Sequence, residues 1–252
     1  MPTPDPKFDG LADDYDRTRP RYPAELFAHA VALLPERIRP TVVDAGAGTG
    51  IALEALVPLL PAGAAVHAVD ISDDMIRRGK AKFPQVIWEQ STAEEYLGRL
   101  SPVDLVLAAQ AYQWMDRPAY LAAAVRALRS GGVCMVVQNN RDYGIGGFAA
   151  EYEDLLEELS PGYHRTYRAI DVARELSERF DRVERRECQW RQALTAEEFT
   201  TMSSSSTQAQ RAIAAVGPVF LERVRALCAR YEEAGKVQVP YLSEAFYGIA
   251  RG

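Results

Sequence analysis

Cysteine is scarce and scattered: Cys134, Cys188 and Cys228 are the only three, and no two form a C-x-x-C pair. That excludes a disulfide frame and a zinc knuckle, and fits thiols in a reducing compartment. Histidine is as scarce (His29, His67, His164), and no His/Cys/Asp cluster shows ligand spacing, so no metal is expected. No apolar run approaches the ~20 residues of a membrane span. The opening MPTPDPKFDG has no apolar signal core, so a cytoplasmic location without membrane attachment is expected. Positive charge is in deficit, with a formal net charge of −6, which sets the chain against nucleic acid and anionic lipid as partners. Internal repeats are missing, and the only biased stretch is the serine run 203–206. Arginine greatly outnumbers lysine, a usage that fits a GC-rich bacterial genome.

What is present is an apolar fraction of 48% over 252 residues, enough for one large α/β domain with a sizeable core. A helix is expected over 24–34. Strands and helices then alternate: strands at 41–45, 65–70, 86–89, 103–109 and 133–138, with helices at 50–60, 73–82, 93–99 and 117–128 between them. This alternation predicts a parallel sheet covered on both faces. After 140 it stops. A polar, glycine-rich loop at 139–147 precedes helices at 148–159 and about 167–179, a strand near 182–191, helices near 195–202 and 207–232, and a last strand at 241–250. Ligands of open α/β sheets sit beyond the carboxyl ends of the strands. The N-terminal segment and the inserts after strands four and five are therefore expected to form a lid.

The most informative stretch is Val42-Val43-Asp44-Ala45-Gly46-Ala47-Gly48-Thr49-Gly50. It reads as a strand, a tight turn and a helix start. Glycine allows positive φ and close passage under a ligand, and a helix start offers free N–H donors. A nucleotide-like cofactor is expected across Gly46, Ala47, Gly48 and Gly50. The dinucleotide fingerprint asks for a third glycine where Ile51 stands. Asp44, two residues before the first glycine, suits a ligand with a cationic or hydroxyl-bearing tail. Asp70 ends the next strand and is placed to accept hydrogen bonds from ribose hydroxyls; helix capping is its competing role, which Ser72 or Asp73 could equally fill.

At these residues the chain resembles the class I S-adenosylmethionine-dependent methyltransferases. VVDAGAGTG is similar to their first cofactor motif and AVDISDDM to their second. The segment 91–97 resembles the adenine-side turn, and 103–111 the fourth strand with its following loop. Upstream, 15–23 resembles the Y-x-x-x-R-P-x-Y-P entry segment of a small-molecule branch that includes trans-aconitate-type and ubiquinone/menaquinone-type enzymes. The resemblance is specific over 8–140 and thin after 145.

It implies a single methyltransferase domain over 1–252, with an entry and lid segment at 1–40, a cofactor core at 41–140 and a substrate-side lid with sheet completion at 141–235. The implied fold is a doubly wound, Rossmann-like, mostly parallel seven-stranded sheet whose last strand is antiparallel. The implied cofactor is S-adenosylmethionine, leaving as S-adenosylhomocysteine. The acceptor would be a small molecule methylated on oxygen or carbon, by a monomer or homodimer. Tyr15 and Arg19 would meet the amino-acid end of the cofactor. Ile71 and Met75 would sandwich the adenine, although Met75 reads equally well as helix core. Thr92, Ala93 and Glu94 would meet the adenine edge, although Thr92 with Glu95 also has capping-box spacing. Ala109 and Gln110 follow strand four, where the methyl group should point.

Tyr112, Gln113 and Trp114 line the acceptor pocket in this reading or form a hydrophobic plug; many relatives carry histidine where Gln113 stands. Tyr22, Arg141, Tyr143 and Arg165 are further acceptor-side candidates. His164 titrates in the range useful for proton transfer, and with Tyr112 it is a candidate catalytic residue. Two rival functions share the glycine turn: a protein that binds the cofactor without transferring methyl, and a nicotinamide oxidoreductase.

Overall fold

The structure is a computed structural model that describes residues 16–36 and 39–251. Its centre is a seven-stranded sheet in the order β3-β2-β1-β4-β5-β7-β6. The strands are β1 (Thr41–Ala45), β2 (Ala65–Asp70), β3 (Ile87–Gln90), β4 (Val103–Ala109), β5 (Leu128–Arg141), β6 (Arg182–Leu194) and β7 (Val237–Ile249). The pairs from β3 to β5 are parallel, as the alternation of strands and helices predicts, and β7 runs antiparallel to both neighbours, as the resemblance implies. The central strands are mostly apolar because both faces are covered: Val42, Val43, Leu105, Val106 and Leu107 have no exposed surface.

Helices α1 (Ala24–Leu33) and α2 (Ile51–Leu56) pack on one face through Leu26, Phe27, Ala52 and Leu56, and α3 (Asp73–Lys82) adds Ile76 against Trp88 and Leu53. Helices α4 (Ala93–Arg99), α5 (Arg117–Ala127) and α7 (Val172–Ser177) cover the other face through Tyr96, Leu97, Tyr120, Leu121 and Leu176. A second core lies among the C-terminal helices. There α6 (Gly147–Leu159), α8 (Ala196–Ser204), α9 (Thr207–Val216) and α10 (Val219–Tyr231) gather Phe148, Tyr152, Phe199, Phe220 and Val224.

The structure departs from the sequence-based boundaries at several elements: β6 runs on to Leu194 and β7 begins already at Val237. The expected helix over 207–232 is two helices, because Gly217 takes φ +65° and Pro218 lacks an N–H. The expected helix at 167–179 shortens to α7. β5 runs on through the polar residues Asn139, Asn140 and Arg141 instead of ending at 138, pairing with Ser243, Leu242 and Tyr241 of β7. Those polar side chains find partners: Asn139 accepts from Ser243 and donates to the Arg21 carbonyl, and Arg141 pairs with Glu153.

Two glycines allow a stability test. A Cβ on Gly79 of α3 would lie 2.1 Å from the Trp88 ring, whereas Gly98 of α4 is exposed with nothing within 4 Å. Gly79→Ala is expected to lower stability by about 1–3 kcal/mol through overpacking, and Gly98→Ala to raise it by up to about 1 kcal/mol. Urea unfolding of both variants checks this; equal shifts would contradict the packing described.

Candidate active site

The carboxyl ends of β1, β2, β4 and β5 open into a cavity of about 1830 Å³. Ordinary ligand pockets occupy roughly 300–1,000 Å³, so this one is larger than a pocket for one small ligand. Its floor is the glycine turn. The N–H groups of Gly46 and Ala47 both donate to the Val69 carbonyl, at 2.8 and 2.9 Å, which pins the turn to the end of β2. Gly46 has φ +72°, and a Cβ there would meet the Ala111 Cβ at 2.6 Å. Gly48 has φ +55° and a Cβ would meet nothing within 4 Å, so its backbone lies open to the cavity. A broad ligand can rest on it there.

Asp70 holds this floor from the side. Its Oδ2 accepts from the Gly48 N–H at 2.8 Å and its Oδ1 from the Ser72 N–H at 2.9 Å. The capping of α3 falls instead to the Ser72 hydroxyl, which accepts from the Met75 N–H. Burial raises the Asp70 carboxyl above the usual carboxylate range, and the N–H groups of Ser72, Gly48 and Ile71 partly offset this.

Asp44 lies one layer deeper. It is fully buried, does not reach the cavity wall, and neither carboxylate oxygen has a hydrogen-bond partner. Desolvation, with Asp70 adding repulsion, pushes its carboxyl up to about 8. Two acids held this way behind an open glycine turn form a seat lacking positive charge, which suits a cationic ligand.

Next to the turn, Ile71 is 49% exposed at the cavity edge and Met75 is nearly buried beside it. Thr92, Ala93 and Glu94 form the neighbouring wall, and the Thr92 hydroxyl caps α4 by accepting from the Glu95 N–H. Ala109 and Gln110 close the end of β4. Gln110 takes φ +51°, rare for a residue with a side chain and a mark of a backbone held in place by its surroundings. Its N–H donates to the Val137 carbonyl, its amide to the Asn139 carbonyl, and the Gln113 amide donates to its own carbonyl.

The entry segment is latched across this floor. Asp16 accepts from the Thr49 hydroxyl at 2.8 Å and pairs with Lys82, which also meets Glu54; Glu54 in turn holds Arg21 at 2.9 Å. Burial works to raise the Asp16 carboxyl, but Lys82, Thr49 and Arg21 together hold it below its ordinary value. Arg19 lines the cavity and donates to the Ser205 carbonyl at 3.1 Å, joining the segment to the end of α8. Tyr22 lines it as well, edge-on to Phe27. Tyr15 lies outside the described residues.

On the acceptor side, Trp114 is 53% exposed at the rim and Gln113 lies beside it. Arg141 is held by Glu153 at 2.8 Å and lies 4.7 Å from the Tyr152 ring centroid. Arg165 is engaged by Asp154 and Glu157 and faces the Tyr143 ring at 5.6 Å. Four expected residues do not line the cavity: Asp44 and Gly50, which support the turn from behind, and the two catalytic candidates. Tyr112 is fully buried, its hydroxyl donates to Glu175 at 2.6 Å, and burial with that carboxylate raises the phenol far above its usual value. His164 is exposed outside the cavity. Tyr112 and His164 are therefore not part of the cavity wall.

Sequence reasoning missed Glu153, Tyr163, Gln208 and Tyr241, all on the cavity wall. For Glu153 a signal existed. It falls four residues after buried Ala149 and next to buried Tyr152, on the inward face of α6. An acid at such a position is rarely buried without a partner. Among the lining residues, four arginines face eight carboxylates. Three of the arginines are already engaged: Arg141 by Glu153, Arg165 by Glu157, and Arg77 by Asp74 at 2.7 Å.

Among the described residues no group of acids, histidines and cysteines is placed to hold a metal ion, and no helix is long and apolar enough to cross a membrane.

Comparison with known proteins gives this architecture a family. Residues 42–132 match the family model described as a methyltransferase domain. An uncharacterised methyltransferase of Mycobacterium tuberculosis is 31% identical over 239 residues, covering 94% of this chain and 92% of that protein. Trans-aconitate 2-methyltransferase of an Azoarcus species is 38% identical over 104 residues, 41% of this chain and 40% of that one. Among solved structures, a protein of Anaeromyxobacter dehalogenans described as a candidate type II methyltransferase superposes with a TM-score of 0.70 at 22% identity, over 92% of this chain and 97% of that one. The plantazolicin methyltransferase BpumL, solved in complex with SAH, gives 0.54 at 15% identity, over 97% and 93%. With the glycine turn, the sheet order and a relative matched along nearly its whole length, this chain belongs to the class I methyltransferase family.

Proposed function

We propose that the protein transfers the methyl group of S-adenosylmethionine to oxygen or carbon of a small organic acceptor. The observation that carries this reading is that one cavity joins the glycine turn and Asp70 to the space beneath the helical lid. The residues present fit the cofactor: an open Gly48 backbone, an acid for the ribose, and a deeper carboxyl without a partner behind the floor. Ile51, on the cavity wall, takes the place of the third glycine that a dinucleotide turn needs, which favours an adenosyl ligand over NAD.

In this reading S-adenosylmethionine supplies a methyl group already activated on a sulfonium sulfur. Asp70 orients the ribose end. Ile71 and Met75 cover one side of the adenine, and Thr92 to Glu94 meet its edge. Arg19, held between entry segment and lid, lies toward the amino-acid end. Gln110, fixed by three backbone and side-chain hydrogen bonds, bounds the gap across which the two reactants meet. The latch of Asp16 with Lys82 and Thr49 keeps the entry segment over the cofactor and excludes water. Alignment of this kind accounts for several kcal/mol of a displacement barrier.

Titration calorimetry with S-adenosylhomocysteine is expected to show saturable one-site binding. Incubation with S-adenosylmethionine and a competent acceptor is expected to yield S-adenosylhomocysteine in equal amount to methylated product. No heat with either compound on folded protein would refute the reading.

A further inference from the structure

The carboxyl ends of β4 and β5 carry two side-chain amides whose hydrogen bonding is incomplete. Gln138 of β5 is 5% exposed and lines the cavity. Its carbonyl accepts from the Asn140 amide at 3.3 Å, which fixes its orientation and leaves its NH2 group unspent. Gln113, in the short helical turn Tyr112–Trp114 after β4, lines the cavity as well. Its amide donates to the Gln110 carbonyl at 2.9 Å, which leaves its own carbonyl unspent. Among the described residues, the Gln138 Nε2 and the Gln113 Oε1 are buried atoms without a hydrogen-bond partner. A buried polar atom in that state is costly unless a ligand or water satisfies it.

The two groups belong to one place. Gln110 binds the carbonyls of Val137 and Asn139, the two neighbours of Gln138, through its N–H and its side-chain amide. Gln113 is tied to Gln110 in turn. Side chains alternate along a strand, so Gln138 faces the same side of the sheet as Val136. On that side lies the core that holds Val136 and Phe246, with Met115 and Ile170 packed against it. Phe246, Met115 and Ile170 also line the cavity. An apolar bed with one spare donor and one spare acceptor is how small-molecule pockets are built, the few polar groups setting the ligand's orientation.

Charge and valence narrow the ligand. Glu244 stands opposite Gln138 in the β5–β7 register, lines the same cavity and accepts from Arg185. A carboxylate taking the Gln138 N–H groups would lie beside that acid. A hydroxyl has a single proton to give, whereas the Gln138 NH2 offers two N–H donors and the Gln113 carbonyl two lone pairs. A carboxamide matches both: its carbonyl accepts from Gln138 and its N–H donates to Gln113.

Resting on the methyltransferase reading above, we propose that Gln138 and Gln113 are specificity-determining residues that hold an uncharged carboxamide or lactam group of the acceptor. The amide is the group that is held. The oxygen or carbon that takes the methyl lies elsewhere on the same molecule. Both glutamines are neutral amides, so they orient the acceptor and take no proton from it.

The test uses full-length protein saturated with S-adenosylhomocysteine and three probes of similar size: benzamide, acetophenone and benzoate. Ligand-observed NMR titration measures each affinity. Wild-type protein is expected to bind benzamide at least tenfold more tightly than benzoate. Gln138→Leu is expected to weaken benzamide and acetophenone alike, by about fivefold or more, because both present a carbonyl. Gln113→Leu is expected to weaken benzamide by as much and to leave acetophenone within twofold, because acetophenone has no N–H to give. A merely structural role would weaken both probes in both variants. That result overturns the proposal, as does tighter binding of benzoate than benzamide, unchanged benzamide binding in Gln138→Leu, or no binding of any probe to the wild type. S-adenosylhomocysteine affinity within twofold of wild type shows that a variant is folded, and the wild-type preference among the probes tests the proposal without either variant. If wild-type protein fails to bind S-adenosylhomocysteine, the cofactor reading fails first, which separates the two claims.

Discussion

Asp70→Ala lowers affinity for S-adenosylhomocysteine by at least tenfold and up to about a hundredfold. Two charge-assisted hydrogen bonds leave with the carboxylate, one to Gly48 and one to Ser72. A hydrogen bond from a ribose hydroxyl to the carboxylate, in the proposed reading, contributes about 1.5–3 kcal/mol, and every 1.4 kcal/mol is tenfold in binding. In the proposed reading the ligand loses its ribose anchor, and the floor also loses the brace that fixes the Gly48 backbone at φ +55°. Asp70→Asn keeps one acceptor oxygen, so its affinity should fall between the two. Calorimetry on the three proteins measures this. Equal affinities would show that the acid is a structural brace only and that the ribose lies elsewhere.

The cofactor half of the site was readable because it is local. Nine consecutive residues hold the strand, the turn and the helix start, and Asp70 follows twenty residues later at the end of the adjacent strand. A pattern that short keeps its geometry wherever the rest of the chain goes. The acceptor half is assembled differently. Arg141, Glu153, Tyr163, Gln208 and Tyr241 come from two strands, a helix, a loop and a lid helix, and each alone resembles an ordinary surface or core residue. Arg141 and Arg165 were legible as cations, yet Glu153 and Glu157 already hold them, and no spacing rule couples those positions. Tyr112 misled because it follows β4 as a pocket residue should. Its ring instead turns beneath the sheet against Tyr120, where Glu175 of α7 takes its hydroxyl. Strand extension at β5 escaped the pattern for the same reason: Asn139 and Arg141 are polar, and only their tertiary partners make them tolerable in a central strand.

Asp44 ties binding to stability, and its replacement should separate the two. With its carboxyl raised to about 8 by burial and by Asp70, the side chain is mostly protonated at neutral pH. A carboxyl free in the unfolded chain titrates near 3.9. Between these values the native state holds a proton that the unfolded state has released, so stability falls as pH rises. The contribution is intact below about pH 4 and is lost progressively up to about pH 8, at up to about 1.4 kcal/mol per pH unit. Asp44→Asn removes this slope. Urea unfolding at pH 5, 6, 7 and 8 should show the variant gaining on the wild type at each step, by about 1–3 kcal/mol at pH 8 once relaxation of the charged site is allowed for. Parallel profiles would mean that Asp44 has a partner in solution. Binding should move the opposite way. A sulfonium placed over the turn favours the ionised carboxyl, so S-adenosylmethionine should bind wild type with release of a proton near pH 7, seen as binding heats that depend on the buffer's ionisation enthalpy. The thioether of S-adenosylhomocysteine carries no such charge and should release less. In Asp44→Asn the buffer dependence should shrink, and the variant should lose more affinity for the cation than for the thioether. A site that costs the fold stability while empty and regains it when a cation arrives fits selection for ligand binding over stability.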